Sequence, residues 1–235
     1  MMGALPDDKN VKTYEKPRHE VTLTKSMSVC VYLCTQGLYE SVMGKTWSMF
    51  MGSLKPVEVS WCYAVLFCNK LSEKEGLEPC YILPEPFSND NDWSMNVQWN
   101  KSANGYRLPT EAEWEYCARG GEEHLYSGSD NPDTVAWYGD NSQGETHCVG
   151  QKKGNGFGLY DMSGNVFEWV FDTRNKYTEH GIVDPIIHDS STYRISRGGG
   201  WMGGAHIARV SRRGTSSSSC RGFSYQGFRF ARSIF

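Results

Sequence analysis

The sequence lacks any long apolar run. No stretch of its 235 residues approaches the ~20 consecutive apolar residues that a transmembrane helix needs. Residues 1–20, MMGALPDDKNVKTYEKPRHE, are polar and show no apolar leader. We therefore expect no transmembrane segment in this chain.

The sequence also lacks the spacings that mark metal sites and common catalytic motifs. Its eight cysteines include no CxxC pair, and its six histidines form no HxH, HxxxH or HExxH pattern. The stretch GNGFG (154–158) is too short for a phosphate loop, and no serine stands in a nucleophile elbow. These absences argue against zinc, phosphate-loop and serine-hydrolase chemistry. The even cysteine count leaves disulfide pairing open.

Lysine and acidic residues are missing from the C-terminal part of the sequence. Residues 191–235 contain eight arginines and no Lys, Asp or Glu, although the whole chain has a net charge of −3. Such a segment either binds a phosphate-rich partner or forms ion pairs with the acidic remainder and holds the C-terminal loops in place. Because no lysine-rich run accompanies the arginines, we favour ion pairing and expect no nucleic-acid partner.

Aromatic residues and glycines are abundant instead. Aromatic side chains make up 13% of the sequence, beside 25 glycines and nine prolines. So many rings must be buried, and the length suits one sizeable core. We predict a single domain over residues 1–235.

Three segments carry helix signals. Thr35, Ser60 and Thr110 stand at N-cap positions, and Glu113 completes a capping box with Thr110. Glycines follow each apolar stretch, as at helix ends. The predicted helices lie within residues 35–45, 59–76 and 107–121. Alternation over 19–33 predicts one or two strands. After residue 121, short aromatic segments between Gly, Asn, Asp and Ser predict short strands and ordered loops.

Three motifs carry a resemblance to a known family. They read GYRLPTEAEWEYCARGG (105–121), GFGLYDMSGNVFEWV (156–170), and SRGGGW (196–201) with GFRFAR (227–232). In this order they resemble the formylglycine-generating enzyme, or sulfatase-modifying factor, family. The resemblance covers almost the whole chain. It implies an α+β domain with the family's version of the C-type lectin fold, which has few helices, short strands and much irregular loop.

The resemblance does not extend to the family's catalytic residues. The oxidase of this family uses two cysteines as copper ligands and redox partners, because thiolates bind Cu(I) well. Aligned through RGGGW, the two matching positions are Gly203 and Ala208. Neither can bind a metal or form a disulfide. We therefore expect no catalytic cofactor and no enzymatic activity.

The motif DMSGNVFE matches a calcium site in the family. The resemblance implies side-chain ligands at Asp161 and Glu168 and main-chain carbonyl ligands at Gly164 and Val166. Oxygen ligands on a tight turn suit Ca²⁺. The alternative is that these residues only cap and hydrogen-bond a turn. Both interpretations give the motif a structural role.

The last segment of the chain mixes two kinds of position. Some residues match the family and are expected to be fixed by the fold: Arg197, Gly198, Gly199, Trp201, Arg209, Arg213, Gly227, Phe228 and Arg229. The positions between them are not constrained by the family pattern and are predicted to bind a ligand: Gly200, Met202, Gly203, Gly204, His206, Ile207, Gly214, Thr215, Ser216, Cys220, Gly222, Phe223, Ser224 and Tyr225.

This division resembles the variable proteins of diversity-generating retroelements, of the treponemal type. In that family a C-terminal segment on a C-type lectin fold is rewritten at adenines, typically in AAC codons, which never yield Lys or Glu. The absence of both residues after position 190 fits this pattern. Met202 and Gln226 do not arise from such codons, so these two are unvaried or arose otherwise. The resemblance implies a variable ligand-binding segment over residues 196–226.

Tyr and Phe beside Ser and Gly, as in FSYQ (223–226), are typical of binding loops that give contact area at low entropy cost. We expect a macromolecular ligand, a protein or a glycan on another cell or a host surface. The resemblance implies export and display at the cell surface through a lipid anchor on a leader that residues 1–20 do not show. Two alternatives stay open: a divergent oxidase that uses other residues, and a catalytically inactive paralogue with a structural role.

Overall fold

The structure is a computed structural model that describes residues 1–88, 91–189, 191, 193–217 and 225–235, with the backbone alone at 91, 216 and 217. Within these ranges it contains five α-helices and eleven short strands. The helices are α1 (Gln36–Met43), α2 (Trp61–Lys74), α3 (Asn91–Met95), α4 (Glu111–Arg119) and α5 (Pro132–Val135). Two further turns of 3-10 helix lie at Thr13–Glu15 and Ala205–Ile207.

The strands are few-residue segments distributed along the whole chain. They are β1 (Val21–Thr22), β2 (Met27–Val29), β3 (Tyr81–Ile82), β4 (Gln98–Trp99), β5 (Tyr106–Arg107), β6 (Phe167–Thr173), β7 (Ile182–Val183), β8 (Tyr193–Arg197), β9 (Gly214–Ser217), β10 (Gln226–Phe228) and β11 (Ala231–Ser233). Few helices, short strands and long irregular connections confirm the predicted α+β fold of C-type lectin character.

The strands form four small sheets. The largest has the order β10-β6-β8-β9, in which β10 runs parallel to β6 and the other neighbours are antiparallel. A three-stranded antiparallel sheet has the order β2-β11-β5. The pairs β1-β7 and β3-β4 complete the set. The four-stranded sheet brings the C-terminal strands beside the residues of the DMSGNVFE motif.

The predicted helices begin where the sequence places their caps. The hydroxyl of Thr35 accepts a hydrogen bond from the Leu38 amide at the start of α1. Thr110 and Glu113 form a complete capping box at α4, which ends at Gly120 in the left-handed conformation. The structure confirms these local signals. Such residues mark helix starts because a cap satisfies backbone groups that the helix itself leaves unpaired.

Two apolar clusters form most of the core. The larger is built on the buried face of α2, where Trp61 and Phe67 are fully buried and pack with Phe171 and Phe228 of the four-stranded sheet. The second surrounds Trp114 of α4. Burying several large rings in this way provides the hydrophobic stabilisation that so many short strands do not supply on their own.

Four of the C-terminal arginines, Arg197, Arg209, Arg213 and Arg229, are buried and paired with carboxylates. Arg197 donates to Glu111 at 3.0 Å and to Glu115 at 2.5 Å, and all three side chains lie in the interior. Arg213 forks onto the same Glu111 with two bonds of 2.7 Å. Similar buried pairs join Arg209 to Asp8 and Glu15, and Arg229 to Glu168. The predicted ion pairing with the rest of the chain is confirmed for these four arginines.

These pairs connect parts of the sequence that are far apart. Arg209 and Glu15 are separated by 194 positions, yet their hydrogen bonds measure 2.9 and 3.1 Å. Removing one partner of such a pair leaves a buried charge uncompensated, which costs about 3–5 kcal/mol. The ion pairs therefore anchor the backbone on both sides of the loops that carry the predicted variable positions.

Candidate ligand-binding surface

The nine framework residues of the C-terminal segment are all buried. Arg197, Arg229 and Phe228 have no exposed surface, and Trp201 retains 8%. Gly198, Gly199 and Gly227 are buried as well. The residues that match the family therefore point into the interior or lie against it.

Most of the interleaved positions reach the surface. Met202 is 61% exposed, His206 and Thr215 are exposed, and the half-buried positions are Gly203, Gly204, Ile207, Gly214 and Tyr225. Gly200 differs because it is buried, with Asn165 and Phe167 about 3.4 Å from where a β-carbon would stand. Ser216 is described by its backbone in β9 only. Cys220, Gly222, Phe223 and Ser224 lie outside the described residues.

A glycine pair directs the chain out of the sheet after β8. Gly198 and Gly199 have φ angles of +85° and +73°, a left-handed conformation that other residues rarely adopt. A β-carbon on Gly199 would lie 2.8 Å from the Cα of Ala208. The tight turn therefore needs glycine at this position, and it places the following loop against the surface.

Trp201 anchors that loop. Its ring packs in a cluster with Leu33 and Val166, and the ring of Phe50 meets it edge-on at 5.1 Å. Its backbone carbonyl accepts a hydrogen bond from the Ser142 hydroxyl at 2.8 Å. The neighbouring residue, Met202, extends into solvent. An anchored residue and an exposed residue are thus direct neighbours in this loop.

The two positions that the family resemblance aligns with the catalytic cysteines lie in different surroundings. Gly203 is half-buried, and its carbonyl accepts a hydrogen bond from the Gly139 amide at 2.7 Å. Ala208 is buried in a small cluster with Tyr126 and Tyr138. Neither residue has a side chain that can bind a metal ion, and no group of three His, Cys, Asp or Glu that could bind one is found among the described residues.

Five of the cysteines elsewhere in the described part of the chain are poorly suited to replace such a thiolate pair. Burial raises the pKa of the Cys30, Cys34, Cys68 and Cys80 thiols, and it raises the pKa of Cys117 to about 12. A thiol with a raised pKa is mostly protonated at neutral pH, whereas metal binding and redox exchange need the thiolate. Four of these cysteines are small buried groups, and Cys30 is half-buried.

The DMSGNVFE motif forms a tight hydrogen-bonded turn. Both oxygens of Glu168 are already engaged, because Arg229 donates to each of them and the Trp114 indole donates to Oε2 at 2.9 Å. Asp161 accepts a hydrogen bond from the Gly150 amide at 2.7 Å, and burial raises its pKa. A guanidinium in contact with the carboxylate does not fit a calcium ion at the same place. The arrangement fits the turn interpretation, and Gly164 and Val166 lie within that turn.

Phe167 is the point at which three predicted variable positions meet. A β-carbon on Gly214 would lie 3.2 Å from its ring, one on Gly200 would lie 3.4 Å away, and the Tyr225 ring meets it edge-on with centroids 6.1 Å apart. Sequence reasoning missed Phe167 as a site residue. The strand gave no signal for it, because every residue of β6 after Phe167 is buried and no alternation marks the exposed side.

A recess of about 240 Å³ opens beside Phe167. We call it the Phe167 recess. Its described lining residues are Tyr14, Phe167, Arg174, Ser196, Arg212, Arg213, Gly214, Thr215, Tyr225 and Gln226. The N-terminal 3-10 turn, β6, β9 and β10 each contribute to it. No sequence signal predicted Tyr14 or Arg174, because only the tertiary fold brings them to the C-terminal strands.

The family can be assigned by comparison with known proteins. The family described as the sulfatase-modifying factor enzyme 1-like domain matches residues 2–234. The chain is a sulfatase-modifying factor enzyme 1-like protein. It is 40% identical over 232 residues to the chaperone protein LppX of Paenibacillus barcinonensis. The match covers 86% of this chain and 78% of that protein.

Two further matches bear on activity. The inactive C-alpha-formylglycine-generating enzyme 2 of Mus musculus is 32% identical over 142 residues, which span 51% of this chain and 42% of that protein. The structure of Treponema denticola variable protein 1 superposes with a TM-score of 0.90 at 35% identity, covering 100% of this chain and 92% of that one. The sulfatase-modifying factor-like fold thus occurs in proteins named as inactive and as variable.

The described residues also bear on membrane insertion. None of their helices combines the length and the apolar character that crossing a bilayer requires.

Proposed function

We propose that this protein is a non-catalytic binding protein that displays a variable surface on a constant scaffold. The observation that carries the proposal is the division within the C-terminal segment. All nine framework residues are buried, whereas the predicted variable positions whose burial the structure describes, Gly200 excepted, reach the surface. Exposed substitutions away from special features usually change stability by less than about 0.5 kcal/mol. Side chains at these positions can therefore change while the fold persists.

The proposed source of variation is a diversity-generating retroelement acting on residues 196–226. The likeness to Treponema denticola variable protein 1 supports this proposal, as does the absence of Lys and Glu from the segment. The genomic DNA provides a direct test. We expect a second copy of the codons for this segment near the gene, differing from it mainly where that copy has adenine. A locus without such a copy would favour ordinary drift of the loops.

The proposed ligand is a macromolecule, a protein or a glycan on another cell or a host surface. Export and a lipid anchor would place the protein where it meets such a partner. The variable positions lie on the outside of a rigid core, as binding loops do in other display scaffolds. Globomycin treatment of the native host, followed by fractionation, tests the anchor: accumulation of an unprocessed precursor supports it.

A divergent oxidase is the competing function. It would need two accessible thiolates, yet Gly203 and Ala208 replace the family's pair and burial raises the pKa of five of the described cysteines. Incubation with copper and a cysteine-containing sulfatase peptide separates the two functions. We expect no conversion of the peptide cysteine, and measurable turnover would overturn the proposal.

A further inference from the structure

The lining of the Phe167 recess is positively charged. Three arginines line it, and no Asp or Glu is among its described lining residues. Arg213 is compensated, because both of its forked hydrogen bonds end on Glu111 at 2.7 Å. The other two arginines are the ones that matter for a ligand.

Arg212 is only weakly compensated. Its closest carboxylate oxygen is that of Glu15 at 3.8 Å, and Glu15 already accepts two hydrogen bonds from Arg209. Arg212 also donates to the hydroxyl of Tyr14 and to a backbone carbonyl. A guanidinium held in this way is oriented by neutral acceptors and keeps most of its charge available.

Arg174 has no carboxylate partner among the described residues. Its side chain is exposed, and its guanidinium lies 4.7 Å from the centroid of the Tyr14 ring. Arg212 lies 5.2 Å from the same ring. Tyr14 therefore holds two cationic groups at the mouth of the recess through cation–π contacts.

Gln226 provides an independent observation. Gln226 lines the recess and is 2% exposed, yet its Oε1 atom has no hydrogen-bond partner among the described residues. A buried acceptor without a donor is costly, and native structures usually satisfy it. An N–H group on a ligand would satisfy this oxygen.

We propose that the Phe167 recess binds an acidic peptide segment of a protein partner, with the carboxylate on Arg174 and Arg212 and a peptide N–H on Gln226. Arginine forks match carboxylate geometry, and charged hydrogen bonds are stronger than neutral ones. A sulfate ion offers no donor to Gln226 and would place negative charge beside its oxygen. A peptide supplies both groups within one or two residues.

This inference rests on the proposed binding function. It concerns the lining residues of the recess that are not predicted to vary. Gly214, Thr215 and Tyr225 are predicted variable positions that border the same recess. Arg174, Arg212, Tyr14 and Gln226 are not among the predicted variable positions. The recess thus acts as a constant anchor for acidic side chains, while the surrounding positions select the partner.

The test measures binding of short capped peptides to the full chain by NMR, using the arginine side-chain N–H signals. The probes are Ac-Ala-Glu-Ala-NH2, its glutamine counterpart Ac-Ala-Gln-Ala-NH2, and sodium sulfate. We expect the glutamate peptide to bind with millimolar affinity, at least about tenfold tighter than the glutamine peptide or sulfate, and to shift the Arg174 and Arg212 signals. Equal affinity for the two peptides, or for sulfate, would overturn the proposal.

A charge-matched pair of variants supplies the control. Arg174→Gln removes one charge from the recess at an exposed position, and Lys70→Gln removes one charge from the exposed face of α2. We expect the first variant to weaken glutamate-peptide binding about fivefold or more and the second to leave it unchanged. Equal weakening of glutamate-peptide binding by the two variants would contradict the proposed binding site. Such a result would leave the display function untouched, because that function is tested by selecting binders from the variable positions.

Discussion

Arg229 holds the carboxylate of Glu168 through two hydrogen bonds, Nε to Oε2 at 2.6 Å and Nη2 to Oε1 at 2.9 Å, with neither side chain exposed. The same guanidinium donates to the carbonyls of Cys30, Val31 and Tyr160. One residue thus ties the chain after β10 to β6, to the segment after β2 and to the DMSGNVFE turn. This connection holds the loops that carry the predicted variable positions.

Replacing Arg229 should therefore destabilise the fold strongly. We expect Arg229→Met to lower the free energy of unfolding by about 3–5 kcal/mol, because it leaves the Glu168 charge buried without a partner. Urea denaturation measures this loss. The double variant Arg229→Met/Glu168→Met should lose less than the single one. Arg232→Met, whose guanidinium donates to a backbone carbonyl at the surface, is the control and should cost under about 1 kcal/mol.

Two neighbouring glycines should respond differently to alanine. Gly199 has a φ of +73° and no room for a β-carbon beside Ala208, so Gly199→Ala should cost on the order of 2–3 kcal/mol. Gly204 has a φ of −65°, and its added methyl group would meet only the exposed His206 ring. We expect Gly204→Ala to stay within about 0.5 kcal/mol of the parent protein. Thermal unfolding of both variants would contradict the framework division if their melting temperatures fell equally.

Glu58 should make stability depend on pH. Burial raises its pKa to about 7, against an ordinary value near 4.5, although the amides of Met49 and Phe50 and the charge of Lys55 oppose the shift. The folded state therefore binds a proton that the unfolded state releases in this window. The stabilisation is fully present below about pH 4.5 and is lost as the pH rises through about 7.

Glu58→Gln should remove that dependence. The carboxylate accepts a hydrogen bond from the Met49 amide through Oε2 at 2.6 Å, and Oε1 has no hydrogen-bond partner in the described part of the chain, so an amide can replace the protonated acid. We expect the variant to match the parent near pH 5 and to exceed its unfolding free energy at pH 8 by on the order of 1–2 kcal/mol. Parallel stability curves from pH 5 to pH 8 would show that Glu58 is ionised in the fold.

Calcium should have no effect on stability. Arg229 already neutralises Glu168, so the turn that contains Asp161 is complete without an ion. We expect the melting temperature of EDTA-treated protein to stay unchanged on addition of 5 mM CaCl2. A site with a dissociation constant of about 50 μM would add roughly 2.7 kcal/mol at that concentration, a shift of several degrees. Such a shift would establish the calcium interpretation of the motif.

The sequence predicts the local elements of this fold well and the contacts between distant segments poorly. The capping box of α4 and the caps of α1 and α2 are encoded within four residues, so reading the chain in order finds them. Predicting the α+β fold class required more than local patterns. That prediction rested on the resemblance carried by three family motifs. The ion pairs were predictable as a class from the uneven charge.

The surface around Phe167 was not predictable in the same way. Tyr14, Phe167 and Arg174 join Gly214 and Tyr225 only because β6, β9 and the N-terminal turn converge in the folded chain. No periodicity connects Tyr14 with residues that follow it by more than 150 positions, or Phe167 and Arg174 with residues about 40 to 60 positions further along. Gly200 is a related case: the sequence groups it with the positions that the family pattern does not constrain, whereas Asn165 and Phe167 bury it in the fold.

A display library tests the central claim most directly. One library randomises exposed or half-buried positions, and a matched library randomises the same number of framework positions. The first set is Met202, Gly203, Gly204, His206, Ile207 and Thr215; the second is Arg197, Gly199, Trp201, Arg209, Arg213 and Arg229. Both libraries are scored for protease resistance and then selected against an unrelated folded protein such as lysozyme. We predict that most members of the first library stay folded and that it yields lysozyme binders, whereas the second does neither. Equal loss of folding in both libraries, or a well-folded first library without binders, would contradict the account.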